Sequence, residues 1–379
     1  MEFDFQWLLL GLPIAFALGW LASRLDVRQW QREERESPRA YYKGLNLLLN
    51  EQHDKAIDAF IEAVQHDPDT SDLHFALGNL FRRRGEYERA VRVHQHLLDR
   101  GDLARGERER AQHALAQDFM KAGLFDRAEA AYRALEGTPF DTEARLALLS
   151  LYERSRDWRN AADVAAQLEK RGAGSFSARI AHHWCELALE ADAKQQLDDA
   201  DAALRRACEA APQAPRPQII SGQFRARRGD ARGAFEAFGR LMVTNPAAFN
   251  LVARDYAAAA SACGETNAAR GRLQALYERG PSLDILRALN ALDDDAAARE
   301  QRVLSHLQAQ CTLSAASELV KVREADATAQ ALREPLARAT RPLQRYRCAA
   351  CGFEAQHYFW QCPGCLNWDT YPPQRLEDQ

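Results

Sequence analysis

The feature that most constrains this chain is a recurrence of alanine in matching surroundings, at Ala56, Ala90, Ala128, Ala161, Ala200, Ala234 and Ala269. Successive spacings are 34, 38, 33, 39, 34 and 35 residues. A large residue often follows four positions later, as in Ala56 to Phe60, Ala128 to Tyr132 and Ala234 to Phe238, and Pro68 and Pro246 close two of the copies. Each such unit alone leaves apolar surface exposed, so the stack of units is what folds.

The residue types have physical reasons. Gly44, Gly78 and Gly222 are expected where two helices cross closely, Gly85, Gly123 and Gly229 where a first helix ends, and Phe60, Tyr132 and Phe238 between helices. Alanine followed by a large residue at a period near 34 is the tetratricopeptide signature, a helix-turn-helix unit, so an all-α helical solenoid is expected over residues 41–335. The fourth copy departs, with Arg156 in place of the usual turn glycine and Ala165 at the large position. Beyond about Pro281 the register fades, although residues 283–289 and 303–307 keep helical periodicity, and two to four further helices are expected there.

Solenoids of this kind bind peptides or protein surfaces in a concave groove lined by the first helix of each unit. Mapped onto the second copy, that face carries Asp72, Phe75, Asn79, Arg82 and Arg83, and onto the fifth it carries His182. Arg82 and Arg83 also belong to a charge run, which more often simply solvates a helix. His182 and His183 do not suggest a metal site, because adjacent side chains diverge around a helix and no third ligand is evident.

Residues 5–23 contain no charge, and these 19 residues would reach roughly 28 Å as a helix, close to a bilayer's hydrocarbon thickness. Glu2 and Asp4 precede the stretch and Arg24, Arg28, Arg32 and Arg35 follow it, which predicts a single-pass anchor over 1–24, a linker over 25–40 and a body in the cytoplasm. A cleaved signal peptide would want a basic lead-in, and this one is acidic. Gly11, Ala15 and Gly19 fall on one face of that helix, where small side chains admit a partner helix, although Gly and Ala are also simply common in membrane spans. Trp7 and Trp20 fit interfacial anchoring.

The most specific chemical signal lies near the C-terminus, over residues 336–379. Cys348-x2-Cys351, ten further residues and then Cys362-x2-Cys365 offer four thiolates to one tetrahedral ion across a small hairpin. Gly352 and Pro363-Gly364 supply sharp turns, and Tyr346, Phe353, Tyr358, Phe359, Trp360 and Trp368 are the main apolar material, so the ion should supply much of the folding energy. Zinc and iron both accept this geometry, and four protein ligands leave no position for a catalytic water. The other cysteines, Cys185, Cys208, Cys263 and Cys311, are scattered singly.

Composition excludes other classes. Fifty Lys and Arg against 54 Asp and Glu leave a net charge of −4, which argues against a nucleic-acid-binding body, and the short basic run around Arg338, Arg341, Arg345 and Arg347 does not change this. No P-loop, dinucleotide-binding glycine pattern, His-Glu-x2-His or nucleophile elbow is present, so an enzyme is not expected.

Together, an anchor, a long tetratricopeptide body and a C-terminal rubredoxin-like zinc ribbon resemble the lipopolysaccharide assembly protein B (LapB) family of the Gram-negative inner membrane. The resemblance runs through Leu12-Pro13, Leu77-Gly78-Asn79-Leu80-Phe81-Arg82, Ala122-Gly123-Leu124, Ile180-Ala181-His182 and Tyr346-Arg347-Cys348, with Trp360-x-Cys362-Pro363 and Trp368 beyond. Leu366 departs from it, replacing the glycine common after such a knuckle in rubredoxins. What the resemblance implies is a non-enzymatic adaptor that works with the FtsH membrane protease on the deacetylase committing cells to lipid A synthesis, opposed in some bacteria by an inner-membrane lipopolysaccharide sensor. Two alternatives stay open: a scaffold gathering lipopolysaccharide synthesis and transport proteins without proteolysis, and an iron-bearing electron carrier.

Overall fold

The computed structural model describes residues 42–378, apart from 67–69 and 324–325, together with Phe16 and Trp20. The expected membrane span and its Gly11, Ala15 and Gly19 face therefore lie outside the described residues. Among the described residues no helix is long and apolar enough to cross a membrane. The chain divides into two compact units, residues 1–155 and 156–379.

In the first unit, helix α1 covers residues 42–49. It is followed by α2 (His53–His66), α3 (Ser71–Arg84), α4 (Tyr87–Asp99), α5 (Arg105–Ala122), α6 (Phe125–Arg133) and α7 (Asp141–Ser155). The second unit holds α8 (Trp158–Lys170), α9 (Ser177–Ala193), α10 (Leu197–Ala210), α11 (Pro215–Arg227), α12 (Ala231–Thr244), the single turn α13 (Pro246–Phe249), α14 (Ala253–Cys263) and α15 (Thr266–Arg279). Where the repeat register fades there are four helices, α16 (Leu283–Ala291), α17 (Ala296–Ala309), α18 (Leu313–Val322) and α19 (Ala327–Thr340). Two short antiparallel strands close the chain, β1 (Tyr346–Arg347) and β2 (Glu354–Ala355), with Tyr346 opposite Ala355.

All seven repeat alanines are fully buried, one each on α2, α4, α6, α8, α10, α12 and α15. A side chain of one carbon at that position lets each second helix lie close against its neighbours. The glycines expected at crossings are just as tight: a Cβ on Gly222 would stand 2.3 Å from the Phe238 ring, and one on Gly44 2.9 Å from Phe60. At Gly78 the partner is His94, 2.5 Å from where a Cβ would be, which occupies the large-residue position four after Ala90. His94 is held there by Asp118, whose carboxylate accepts from its Nδ1 at 2.5 Å and also from Arg82 at 2.9 Å.

Gly85 ends α3 at φ +83°, donating to the Arg82 carbonyl while Glu86 donates to that of Phe81, a pair of bonds that satisfies the last carbonyls of the helix. Arg156 takes the same left-handed conformation at φ +59° without being glycine. Phe75, expected on the groove face, is instead 1 % exposed and packs with Leu97, Leu103, Ala111 and Ala114, because α4 and α5 cover that side of α3.

Candidate metal centre and the surface beneath it

Each Cys-x2-Cys pair sits on a tight turn. In the first, Gly352 donates to the Cys348 carbonyl at 2.9 Å and has φ +77°; in the second, Leu366 donates to the Cys362 carbonyl at 2.8 Å and has φ +59°. Leu366 thus adopts the conformation of the glycine it replaces, at a cost of about 1–2 kcal/mol. Cys348 donates its N–H to Phe353, and Cys362 to Asn367, which fold each turn back so that its two sulfurs converge.

The sulfurs of Cys348 and Cys365 are 3.8 Å apart, those of Cys351 and Cys362 3.6 Å, and all four lie within 4.8 Å of one another. Sulfurs at about 2.3 Å from a tetrahedral ion would be spaced about 3.8 Å apart, so the donor set and its spacing fit such an ion. Electrostatics point the same way. Burial pushes the Cys348 thiol up, but the Thr370 hydroxyl and neighbouring backbone N–H groups outweigh it and bring it down to about 6. Cys351 receives a backbone N–H contact that lowers it, yet burial and the three adjacent sulfurs push it up to about 12. Sulfurs this close repel one another as thiolates, and a bound cation is what would let all four ionise together.

Behind the sulfurs lies a small aromatic core of Tyr346, Tyr358 and Tyr371, whose rings meet edge to face. The Tyr371 hydroxyl donates to the Phe353 carbonyl at 3.2 Å, and that of Tyr358 to the Tyr371 carbonyl at 3.0 Å. Two aromatic residues expected in this interior, Phe353 and Phe359, are exposed.

Trp360 and Trp368, also expected inside the module, face the helices instead. The Trp368 ring stacks on His182 of α9 with centroids 4.6 Å apart, while Trp158 and His183 meet it edge on. Asp369 bonds His182 Nε2 at 2.8 Å, and Arg216 of α11 approaches His182 Nδ1 at 3.4 Å. A guanidinium only donates, so Nδ1 accepts and the imidazole proton sits on Nε2, aimed at Asp369. Arg216 lies 5.6 Å from the Trp368 ring centre and is fixed by Glu186 at 2.5 Å. A second attachment lies at the chain's end. There the Glu377 carboxylate accepts from the Leu313 and Ser314 N–H groups that open α18, and Arg375 pairs with Asp284 at 3.2 Å.

His182 is accordingly no open groove residue. It is 3 % exposed because the C-terminal segment of the same chain covers it. Among the second-copy candidates, Asp72 pairs with Arg110 at 2.8 Å. Arg82 is tied to Asn79, to the Ala114 carbonyl and to Asp118, while Arg83 is exposed. Trp158, Arg216, Asp369 and Glu377 carry the attachment and were not legible from the motifs. The available signals were a tryptophan opening a second helix, where the repeat pattern asks for none, and the run Trp368-Asp369 just past the last cysteine.

Comparison with known proteins agrees with this architecture. Residues 346–373 match the rubredoxin metal binding domain, and residues 73–109 and 113–176 match tetratricopeptide repeat families. Lipopolysaccharide assembly protein B of Escherichia coli strain K12 is 32 % identical over 97 % of this chain and 98 % of its own length. Its namesake in Haemophilus influenzae is 26 % identical over 97 % of both. Among solved structures, a tetratricopeptide repeat protein from Parabacteroides merdae aligns with 68 % of this chain and 98 % of its own at 15 % identity and a TM-score of 0.34. On the strength of the full-length relatives, the chain belongs to the lipopolysaccharide assembly protein B family.

Proposed function

We propose that this chain is a non-enzymatic adaptor in lipopolysaccharide assembly, which presents the lipid A-committing deacetylase to an FtsH-type membrane protease. The observation that carries the lipopolysaccharide role is the near full-length match to relatives named for it. Residues 1–24 tether the body to the cytoplasmic face of the inner membrane, which raises the client's effective concentration at the protease. Their Gly11, Ala15 and Gly19 face meets a regulatory partner within the bilayer, such as a lipopolysaccharide sensor. Exposed Arg83, beside the Asn79 and Arg82 pair, belongs to the client surface.

Cys348, Cys351, Cys362 and Cys365 would hold one zinc or iron ion, whose contribution when bound is folding energy for the C-terminal module. A red colour with visible absorption in the purified protein identifies iron, and a colourless, zinc-containing protein identifies zinc.

The test is the deacetylase half-life in cells with the protein, depleted of it, and carrying Cys348→Ser. Lengthening on depletion, reproduced by the variant, is expected. An unchanged half-life in all three overturns the adaptor reading and leaves a scaffold that gathers lipopolysaccharide enzymes.

A further inference from the structure

The second unit contains a cavity of about 1210 Å³ walled by α14, α16, α17, α18 and α19, with Gln356 at its rim. Seven basic side chains line it against four acidic ones, an excess of three positive charges in a chain whose net charge is −4. The acids are already engaged. Glu318 holds Arg287 at 2.9 Å, Glu300 holds Arg323 at 2.7 Å, and Asp284 is shared by Arg287 and Arg375. Asp326 accepts the Thr328 N–H at the start of α19. That leaves Arg254, Arg299 and Arg341 with no carboxylate partner among the described residues.

Three of the lining residues also carry a buried polar atom without a partner. Arg299 Nε, Arg375 Nε and Asn290 Nδ2 have no acceptor on the protein, and all three are donors. A cavity whose surplus charge is positive is complementary to a ligand rich in anionic acceptors. The basic groups come from several helices around a cavity of about 1210 Å³, far more than one small anion fills, whereas carboxylates spaced along an extended chain can meet them in turn.

We infer that this cavity binds a carboxylate-rich peptide segment of a partner protein. The inference does not depend on the adaptor reading, since it concerns what the cavity holds and not what becomes of the partner.

The test uses the purified full chain and a fluorescein-labelled ten-residue peptide of alternating Glu and Gly, its counterpart with Gln for Glu, and inorganic phosphate. Expected is saturable binding of the Glu peptide that weakens as salt rises from about 50 to 300 mM, with the Gln peptide at least about tenfold weaker. Arg254→Glu with Arg341→Glu should weaken the Glu peptide by at least about tenfold, with helical content and bound metal unchanged. Neither residue is ion-paired or part of the metal centre, and the comparison of the two peptides on the unaltered chain stands even if the variant misfolds. Equal affinity for the two peptides, binding indifferent to the charge reversal in a folded variant, or phosphate binding without peptide binding overturns the inference.

Discussion

Two histidines make the folded chain sensitive to acid just below neutral pH. His306 in α17 is 2 % exposed, with the Tyr277 hydroxyl hydrogen-bonded to its Nδ1 at 2.6 Å. Burial, reinforced by the Arg287 charge, holds its pKa below the ordinary value of 6.5. His113, stacked on Phe140 at 4.8 Å, is lowered for the same first reason, with Glu143 opposing. The unfolded chain therefore takes up these protons near 6.5 and the folded chain only at lower pH. Their stabilisation is fully present above that value and is lost as pH falls through the window beneath it. Unfolding free energy should drop as pH falls below about 6.5, by at most about 1.4 kcal/mol per histidine per pH unit, read as a falling melting temperature. His306→Gln should flatten part of that slope, and an unaltered slope would show that another group sets it. Other single residues show where sequence rules bend. Arg156 and Leu366 occupy left-handed positions that glycine fills in sister turns, and His94 stands in for an aromatic because Asp118, itself held by Arg82, binds it.

At the scale of elements, the repeat was legible because its information is local. Each alanine and its large partner lie one helical turn apart, and the burial of Ala56 through Ala269 follows directly from that spacing. The four cysteines were legible for the same reason. The attachment of the module was not, because it joins residues far apart in the chain: His182 and Asp369 are separated by 187 positions. Trp368 could be recognised as apolar material but not assigned to the module's outer side. Its ring, pressed between His182, His183 and Trp158, makes a direct prediction. Trp368→Ala should weaken the attachment by about 2–3 kcal/mol, less than a fully buried tryptophan because it is only partly buried. Metal retention is linked to the attached state, so chelator should strip the ion from this variant faster than from the parent chain. Equal stripping rates would mean that the module folds independently of the helices.

At the scale of the whole molecule, the four-cysteine module grips the helices of the second unit at two places. One grip lies on α9 and α11, and the other at the start of α18 through Glu377. A module with so small a core of its own gains order from the ion and from the helices together, and the helices gain a cover over His182 and Arg216 that water would otherwise contact. With an ion bound, the four-cysteine centre would act as a structural clasp for the C-terminal repeats. Amide hydrogen exchange across residues 156–378, measured with metal bound and after its removal, tests it most directly. On metal removal α9, α11 and the first turn of α18 should lose protection together with the module, while α3 to α6 keep theirs. Unchanged protection of α9 and α11 in metal-free protein would contradict it.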